Sequence, residues 1–191
     1  MKLIFASNNP HKLEEVCAIL APTGLTIGSL NEVGFTGEVE ETGTTFEENA
    51  RIKVEAIYQA TGENCFADDS GLEVEALDGR PGVYSARFAG EHGNHRANNE
   101  RLLAELQGKS DRKACFKTVI ALLWEGEFHF FEGRVDGTIT SSPRGETGFG
   151  YDPVFVPEGY DQTFAEMPPE LKNSISHRKR ALMKMTEFLV R

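Results

Sequence analysis

The sequence predicts an α/β fold: a mixed β-sheet flanked by helices. Three observations predict it. The chain opens with strand, helix and strand segments, residues 113–140 read as two long strands around a tight turn, and helical periodicity recurs in both halves of the chain.

Lys2 to Ala6 is a short apolar run with the length of a buried strand. After the turn Ser7 to Pro10, Leu13, Val16, Cys17 and Leu20 recur at helical spacing, and Gly24 supplies a stop before a second strand at Leu25 to Ser29. Asn31 to Thr45 is polar, acidic and glycine-containing, and a loop of that length invites a functional reading. Thr44 and Glu47 match a capping box, and Phe46, Ala50, Val54 and Ile57 mark the inner face of a helix that ends before Gly62.

Cys65 to Ala67 resumes the sheet. Asp68-Asp69-Ser70-Gly71 then reads as an acidic turn before an alternating strand at Leu72, Val74 and Ala76. Arg96 to Gln107 reads as a helix with Leu102, Leu103 and Leu106 inward, closed by Gly108. Lys113 to Trp124, a turn centred on Gly126, and Phe128 to Thr140 form a hairpin pattern. A last helix is expected from about Ser176, with Ala181, Leu182, Met185, Phe188 and Leu189 inward.

A chain of 191 residues has the size of one domain, so residues 1–191 are expected to form a single one. The 39% hydrophobic and 26% charged fractions are ordinary for a globular protein. A formal charge of -10 repels polyanions and leaves no basic footprint for nucleic acid. A small polyphosphate can still bind where a few lysines, backbone N–H groups or a cation overrule that field locally. Cys17, Cys65 and Cys115 are far apart and odd in number, which suits a reducing cytoplasm better than a disulfide framework. No apolar run approaches a membrane span, so no membrane partner is expected.

Several groups of residues carry candidate chemistry. Ser7-Asn8-Asn9-Pro10-His11-Lys12 joins a strand to a helix, where N–H groups and the helix dipole favour a phosphate, although the same residues suit an ordinary capped turn. Glu41 in the acidic loop and the Asp68-Asp69 pair offer hard carboxylates of the kind that hold magnesium, which commonly takes one or two carboxylates and completes its shell with water and phosphate. A solvated acidic loop is the plainer alternative. Lys53 lies between Ile52 and Val54 on an amphipathic helix, and by default such a lysine reaches past the apolar face to water. Arg87 is undecided between a site role and a surface ion pair. Phe149, between Gly148 and Gly150, offers a face for a base to stack on or a plug for its own loop. His177 and Arg178 put cationic groups at the positive end of a helix, which favours an anion or a carbonyl nearby.

Taken together, these segments resemble the inosine triphosphate pyrophosphatase family, the XTP/dITP diphosphatases, over nearly the whole chain. The family's opening Ser/Thr-x-Asn-x-x-Lys is matched by Ser7, Asn9 and Lys12, and its Glu-Glu-Thr-Gly with Phe and Glu-Asn-Ala by Glu40 through Ala50, with Lys53 behind. Ala-Asp-Asp-Ser-Gly stands at Ala67 to Gly71, Pro-Gly-x-Tyr-Ser-Ala-Arg at Pro81 to Arg87, Gly-Phe-Gly-Tyr-Asp-Pro at Gly148 to Pro153, and Lys-x-x-x-Ser-His-Arg at Lys172 to Arg178. Asn8 stands where many relatives have glycine.

The resemblance implies hydrolysis of ITP, dITP and XTP to the monophosphate and pyrophosphate. It implies that Ser7, Asn8, Asn9, Pro10, His11 and Lys12 hold the phosphates, that Glu41 and Asp69 hold Mg2+, and that Asp69 accepts a proton with Lys53 as a counter-charge. Ser70 would join the substrate contacts, and Phe149, Gly150, Tyr151, Asp152, Lys172, His177 and Arg178 would surround the base. It further implies an elongated mixed β-sheet in two lobes with a nucleotide-binding cleft between them, and a homodimer. A nucleotide phosphatase releasing orthophosphate and a non-catalytic nucleotide-binding module are the alternatives. The 6-oxo group of inosine, xanthosine or guanosine accepts hydrogen bonds where the 6-amino group of adenine donates them, so donors near His177 and Arg178 favour the oxo bases, and rejection of guanine must involve its 2-amino group.

Overall fold

Strand β1 (Lys2–Phe5) anchors the topology, with β2 (Thr26–Gly28) and β3 (Cys65–Val74) pairing parallel to it. The computed structural model describes every residue from Met1 to Arg191. Its other strands are β4 (Lys113–Trp124), β5 (Glu127–Ile139) and β6 (Phe155–Pro157), and its helices are α1 (Pro10–Leu20), α2 (Phe46–Thr61), α3 (His95–Glu105), α4 (Pro169–Ile175) and α5 (His177–Leu189). The 6-stranded sheet runs in the order β2-β1-β3-β4-β5-β6, and β5 pairs antiparallel with β6, so the sheet is mixed as the sequence predicts.

The chain forms two compact units. Met1–Asp69, Thr118–Gly133 and Arg178–Arg191 make the first, and Ser70–Lys117 with Arg134–His177 make the second.

In the first unit the strands bury both faces. On one face Leu3, Phe5 and Phe66 pack with Val16 and Leu20 of α1 and with Ala181, Leu182 and Met185 of α5. On the other, Ile4, Cys65 and Ala67 pack with Ala50, Val54 and Ile57 of α2. Strand alternation produces this division, because successive side chains point to opposite sides of a sheet. Each large side chain so buried contributes about 1.5–3 kcal/mol. In the second unit, Leu72, Val74, Leu102, Leu106, Phe116, Phe155 and Phe164 share one core.

Several expectations need correction. Asp68 to Gly71 do not form a turn: β3 is one strand of 10 residues through them. Their carboxylates find buried cationic partners, which removes the reason to leave the sheet. The cap of α2 lies one residue later than expected. Thr45 accepts from the N–H of Glu48, while Glu48 accepts from the N–H of Thr44. Cys17 is exposed and Ile19 takes the inward place on α1. The stretch after β2 has a short 3-10 turn at Asn31–Val33 before its irregular part. Leu103 is only partly buried, and α3 starts at His95 and ends at Glu105. A separate helix, α4, precedes the last one.

Candidate active site

β1 ends at Phe5, opposite Phe66, whereas β3 continues. Chain leaves β1 toward β2 on one side and reaches β3 on the other, so Ser7, Asp68 and Asp69 lie at the switch point where parallel sheets usually present binding groups. The loop Ser7 to Lys12 is ordered by its own side chains. Ser7 Oγ accepts from the N–H of Asn9 at 3.2 Å, and Asn9 caps α1 by accepting from the N–H groups of His11 at 3.0 Å and Lys12 at 3.2 Å. Pro10 occupies the first helical turn, and Asn8 Nδ2 donates to the carbonyl of Gly37 at 3.3 Å. The capped-turn reading therefore describes the backbone, and Lys12 is the group that projects a charge.

That charge meets Asp68. Lys12 Nζ lies 3.1 Å from Asp68 Oδ1, while Arg178 donates to Asp68 Oδ2 through Nε at 3.2 Å and Nη2 at 3.0 Å. Arg178 also donates through Nη1 to Glu15. Asp68 and Arg178 are each 1% exposed, so this is a buried ionic network between β3, α1 and α5. Burial pulls the Lys12 ammonium below its ordinary value, against the opposing pull of Asp68. For Arg178 burial works downward too, but Asp68 and Glu15 outweigh it and hold the guanidinium above its ordinary value.

Asp69 points the other way, toward α2. Its Oδ2 accepts from Asn49 Nδ2 at 3.1 Å, and its Oδ1 lies 4.0 Å from Lys53 Nζ. Lys53 donates to the carbonyl of Asp68 at 2.6 Å and to Glu41 Oε2 at 3.3 Å. Lys53 is buried, so the expectation that it reaches to water is overturned: its ammonium turns inward because three oxygens converge on it. Burial pushes the Asp69 carboxyl above the usual carboxylate range, Lys53 and Lys12 oppose this, and Glu41 adds to it. Asn49 ties the acidic loop to this group, accepting from the N–H of Gly43 at 2.7 Å. A Cβ at Gly43 would lie 2.7 Å from Asn49 Oδ1, so the close approach requires glycine.

The second unit carries the remaining candidates. Asp152 Oδ2 accepts from the N–H of Phe149 at 3.0 Å and from Lys172 Nζ at 2.6 Å, and that ammonium lies 4.8 Å from the centre of the Phe149 ring. Tyr151 donates to the carbonyl of Ser85 at 2.7 Å. The carbonyl of Gly150 accepts from Asn99 Nδ2 at 2.9 Å. His177 stacks on Phe116 with ring centres 4.9 Å apart and planes 10° from parallel. Ser70 is partly buried in β3, and Arg87 lies over the ring of Tyr84 at 5.0 Å.

Sequence reasoning places Gly43 and Asn49 in a motif without giving them a role, and it misses Asn99, Glu15 and the role of Asp68 as an ionic hub. Asn49 had a signal: it lies four residues before Lys53, on the face of α2 that carries Ala50 and Val54. Glu15 and Asn99 had none, since their partners are far along the chain.

No group of three or more His, Cys, Asp or Glu side chains gathers in the structure. A cation such as magnesium does not require one, because one or two carboxylates with water and phosphate complete its shell. Glu41 and Asp69 fit it: two hard carboxylates face one ammonium, and Glu41 already presses the Asp69 carboxyl upward.

The pattern of the Ham1 family matches residues 3–188. A dITP/XTP pyrophosphatase of Porphyromonas gingivalis is 53% identical over 190 residues, covering 99% of this chain and 97% of its own length. Another, from Bacillus subtilis, is 50% identical and covers 97% of this chain and 96% of its own length. Among solved structures, the Staphylococcus aureus Ham1 protein superposes with a TM-score of 0.88 at 43% identity, covering 99% of this chain and 98% of that one. A HAM1 protein from Coxiella burnetii gives 0.90 at 37% identity, covering 100% and 98%. With fold, motifs and length in agreement, the chain belongs to the Ham1 family.

Proposed function

We propose that this chain hydrolyses dITP, ITP and XTP to the nucleoside monophosphate and pyrophosphate, which removes deaminated purines from the nucleotide pool. The observation that carries the reading is the group around Lys53, where Glu41 and Asp69 turn carboxylate oxygens to one buried ammonium beside the loop that holds Lys12. Relatives named dITP/XTP pyrophosphatase, near half identical over full length, support it.

Lys12 and the Ser7 to Asn9 side chains bind the triphosphate, and Lys53 balances charge that develops on the phosphate oxygens. Glu41 and Asp69 hold a magnesium ion, which when bound supplies positive charge against the phosphates. Asp69, held in place by the donation from Asn49 to its Oδ2, orients the attacking water and takes its proton. A carboxyl raised by burial is a stronger base than an exposed one. The water oxygen bonds to the α-phosphorus as the bond from that phosphorus to the bridging oxygen breaks, and pyrophosphate leaves with the electron pair.

Phe149 stacks on the base, and Lys172 and His177 supply donors for its 6-oxo group, with Gly150, Tyr151 and Asp152 shaping their surroundings. Ser70 completes the substrate contacts. Arg178, which donates to Asp68 and Glu15, orders the acidic strand, and a contact to the base requires it to release one of these carboxylates. The two units serve as one functional domain, the protein acts as a homodimer, and it works in the cytoplasm. Free cysteines and the intracellular nucleotide substrate suit that compartment, and no helix is long and apolar enough to cross a membrane. Incubation with dITP, ITP, XTP, GTP and ATP tests the reading: turnover of the first three well above the last two supports it, and equal turnover of all five contradicts the base selection.

A further inference from the structure

Asn99 lies on α3 with 7% of its surface exposed, and its side-chain amide is committed to two carbonyls. Nδ2 donates to the carbonyl of His95, one turn earlier on the helix, at 3.0 Å and to the carbonyl of Gly150 at 2.9 Å. Chemistry fixes this orientation. Turned over, the amide would set Oδ1 against two carbonyl oxygens, acceptor facing acceptor. As a result Oδ1 is buried with no hydrogen-bond partner. An unpaired buried acceptor costs stability, and an apolar side chain would avoid the cost. The position is therefore explained by its two donors and by what they hold in place.

They hold one end of the loop that presents Phe149. Gly148 and Gly150 have φ of +74° and +61°, so the aromatic sits between two residues with little conformational restraint of their own. Side-chain bonds fix it instead, one from within the loop and one from α3. Asp152 takes the N–H of Phe149 on one side, and Asn99 takes the carbonyl of Gly150 on the other. The same turn of α3 brings the His95 ring to 6.3 Å from the Phe149 ring, centre to centre.

We infer that Asn99 is a positioning residue that sets the Phe149 ring for the purine base. The inference rests on the reading of Phe149 as the stacking surface, and the two are separable by a double-mutant cycle. Steady-state kinetics on dITP would be measured for the parent, Asn99→Ala, Phe149→Ala and the double variant. Asn99→Ala is expected to raise KM about tenfold with kcat within about twofold, and in the Phe149→Ala background to change KM by less than about twofold, because a residue that acts through the ring has nothing left to act on. Asn99→Leu, near in size but without donors or charge, is expected to reproduce the KM effect, and a Tm close to the parent's in either variant guards against a folding defect. An equal rise in KM with and without the ring, or no rise in either Asn99 variant, would overturn the inference. A parental KM in Phe149→Ala would overturn the stacking reading itself.

Discussion

Asp68 and Asp69 are adjacent in β3 yet belong to different chemical environments. Asp68 faces α1 and α5 and neutralises Lys12 and Arg178, whereas Asp69 faces α2 and shares Lys53 with Glu41. Alternation along the strand is the cause, and it places two neighbouring carboxylates in separate ionic environments, the second of them the proposed base.

The pair predicts opposite mutant behaviour. Asp69→Asn keeps an acceptor for Asn49 but no longer takes a proton, so kcat is expected to fall by about 10²- to 10⁴-fold with little change in urea midpoint. Asp68→Asn leaves Lys12 without its buried counter-charge and Arg178 with Glu15 alone, and losing one partner of such a network costs about 3–5 kcal/mol of stability. Urea unfolding of both variants checks the contrast; equal destabilisation would contradict it.

Lys53→Met removes the ammonium between Glu41 and Asp69. The metal-free variant is expected to melt below the parent, because two carboxylates then face each other uncompensated. Added magnesium should raise its Tm by more than it raises the parent's, since a ligand stabilises whatever it binds in the folded state. Thermal melts with EDTA and with magnesium measure both shifts, and an equal gain in the two proteins would argue against a cation at this pair.

Gly148→Ala tests the loop at the base end. A Cβ there would lie 2.1 Å from Asp152 Oδ2, on a backbone with φ of +74°. The variant is expected to displace the carboxylate that holds Phe149 and Lys172, raising KM for dITP by at least about tenfold while KM for magnesium stays parental. Kinetics with each varied in turn separates the two.

The cysteines give a pH-dependent prediction. Burial pushes the Cys65 thiol up to about 12 and the Cys115 thiol up to about 11, so both stay protonated, and unreactive, well above neutral pH. Cys17 is exposed. Iodoacetamide at pH 8 should alkylate Cys17 alone in the folded protein, as read by mass spectrometry; modification of Cys65 without unfolding would contradict its burial.

Local patterns were legible where packing repeats along the chain. Phe46, Ala50, Val54 and Ile57 announce the inner face of α2, and all four are buried. The hairpin turn is legible too, with Glu125 and Gly126 both at positive φ. What remained hidden depends on distant partners. Asp68 to Gly71 have turn-forming composition, and only Arg178, 110 residues away, and Lys12 make a strand through them favourable. By its helix pattern alone Lys53 reads as a surface lysine, because nothing in its neighbourhood reveals that Glu41 and the Asp68 carbonyl wait on the inner side; only the motif resemblance points to the site. Asn99 is an ordinary helical residue until Gly150 is brought beside it.

The most direct test of the central claim, attack on the α-phosphorus by a water that Asp69 activates, is hydrolysis of dITP in 18O-labelled water with analysis of both products. The account predicts pyrophosphate without label and dIMP carrying one labelled oxygen, with the rate lost in Asp69→Asn. Orthophosphate with dIDP, or label in the pyrophosphate, would contradict it.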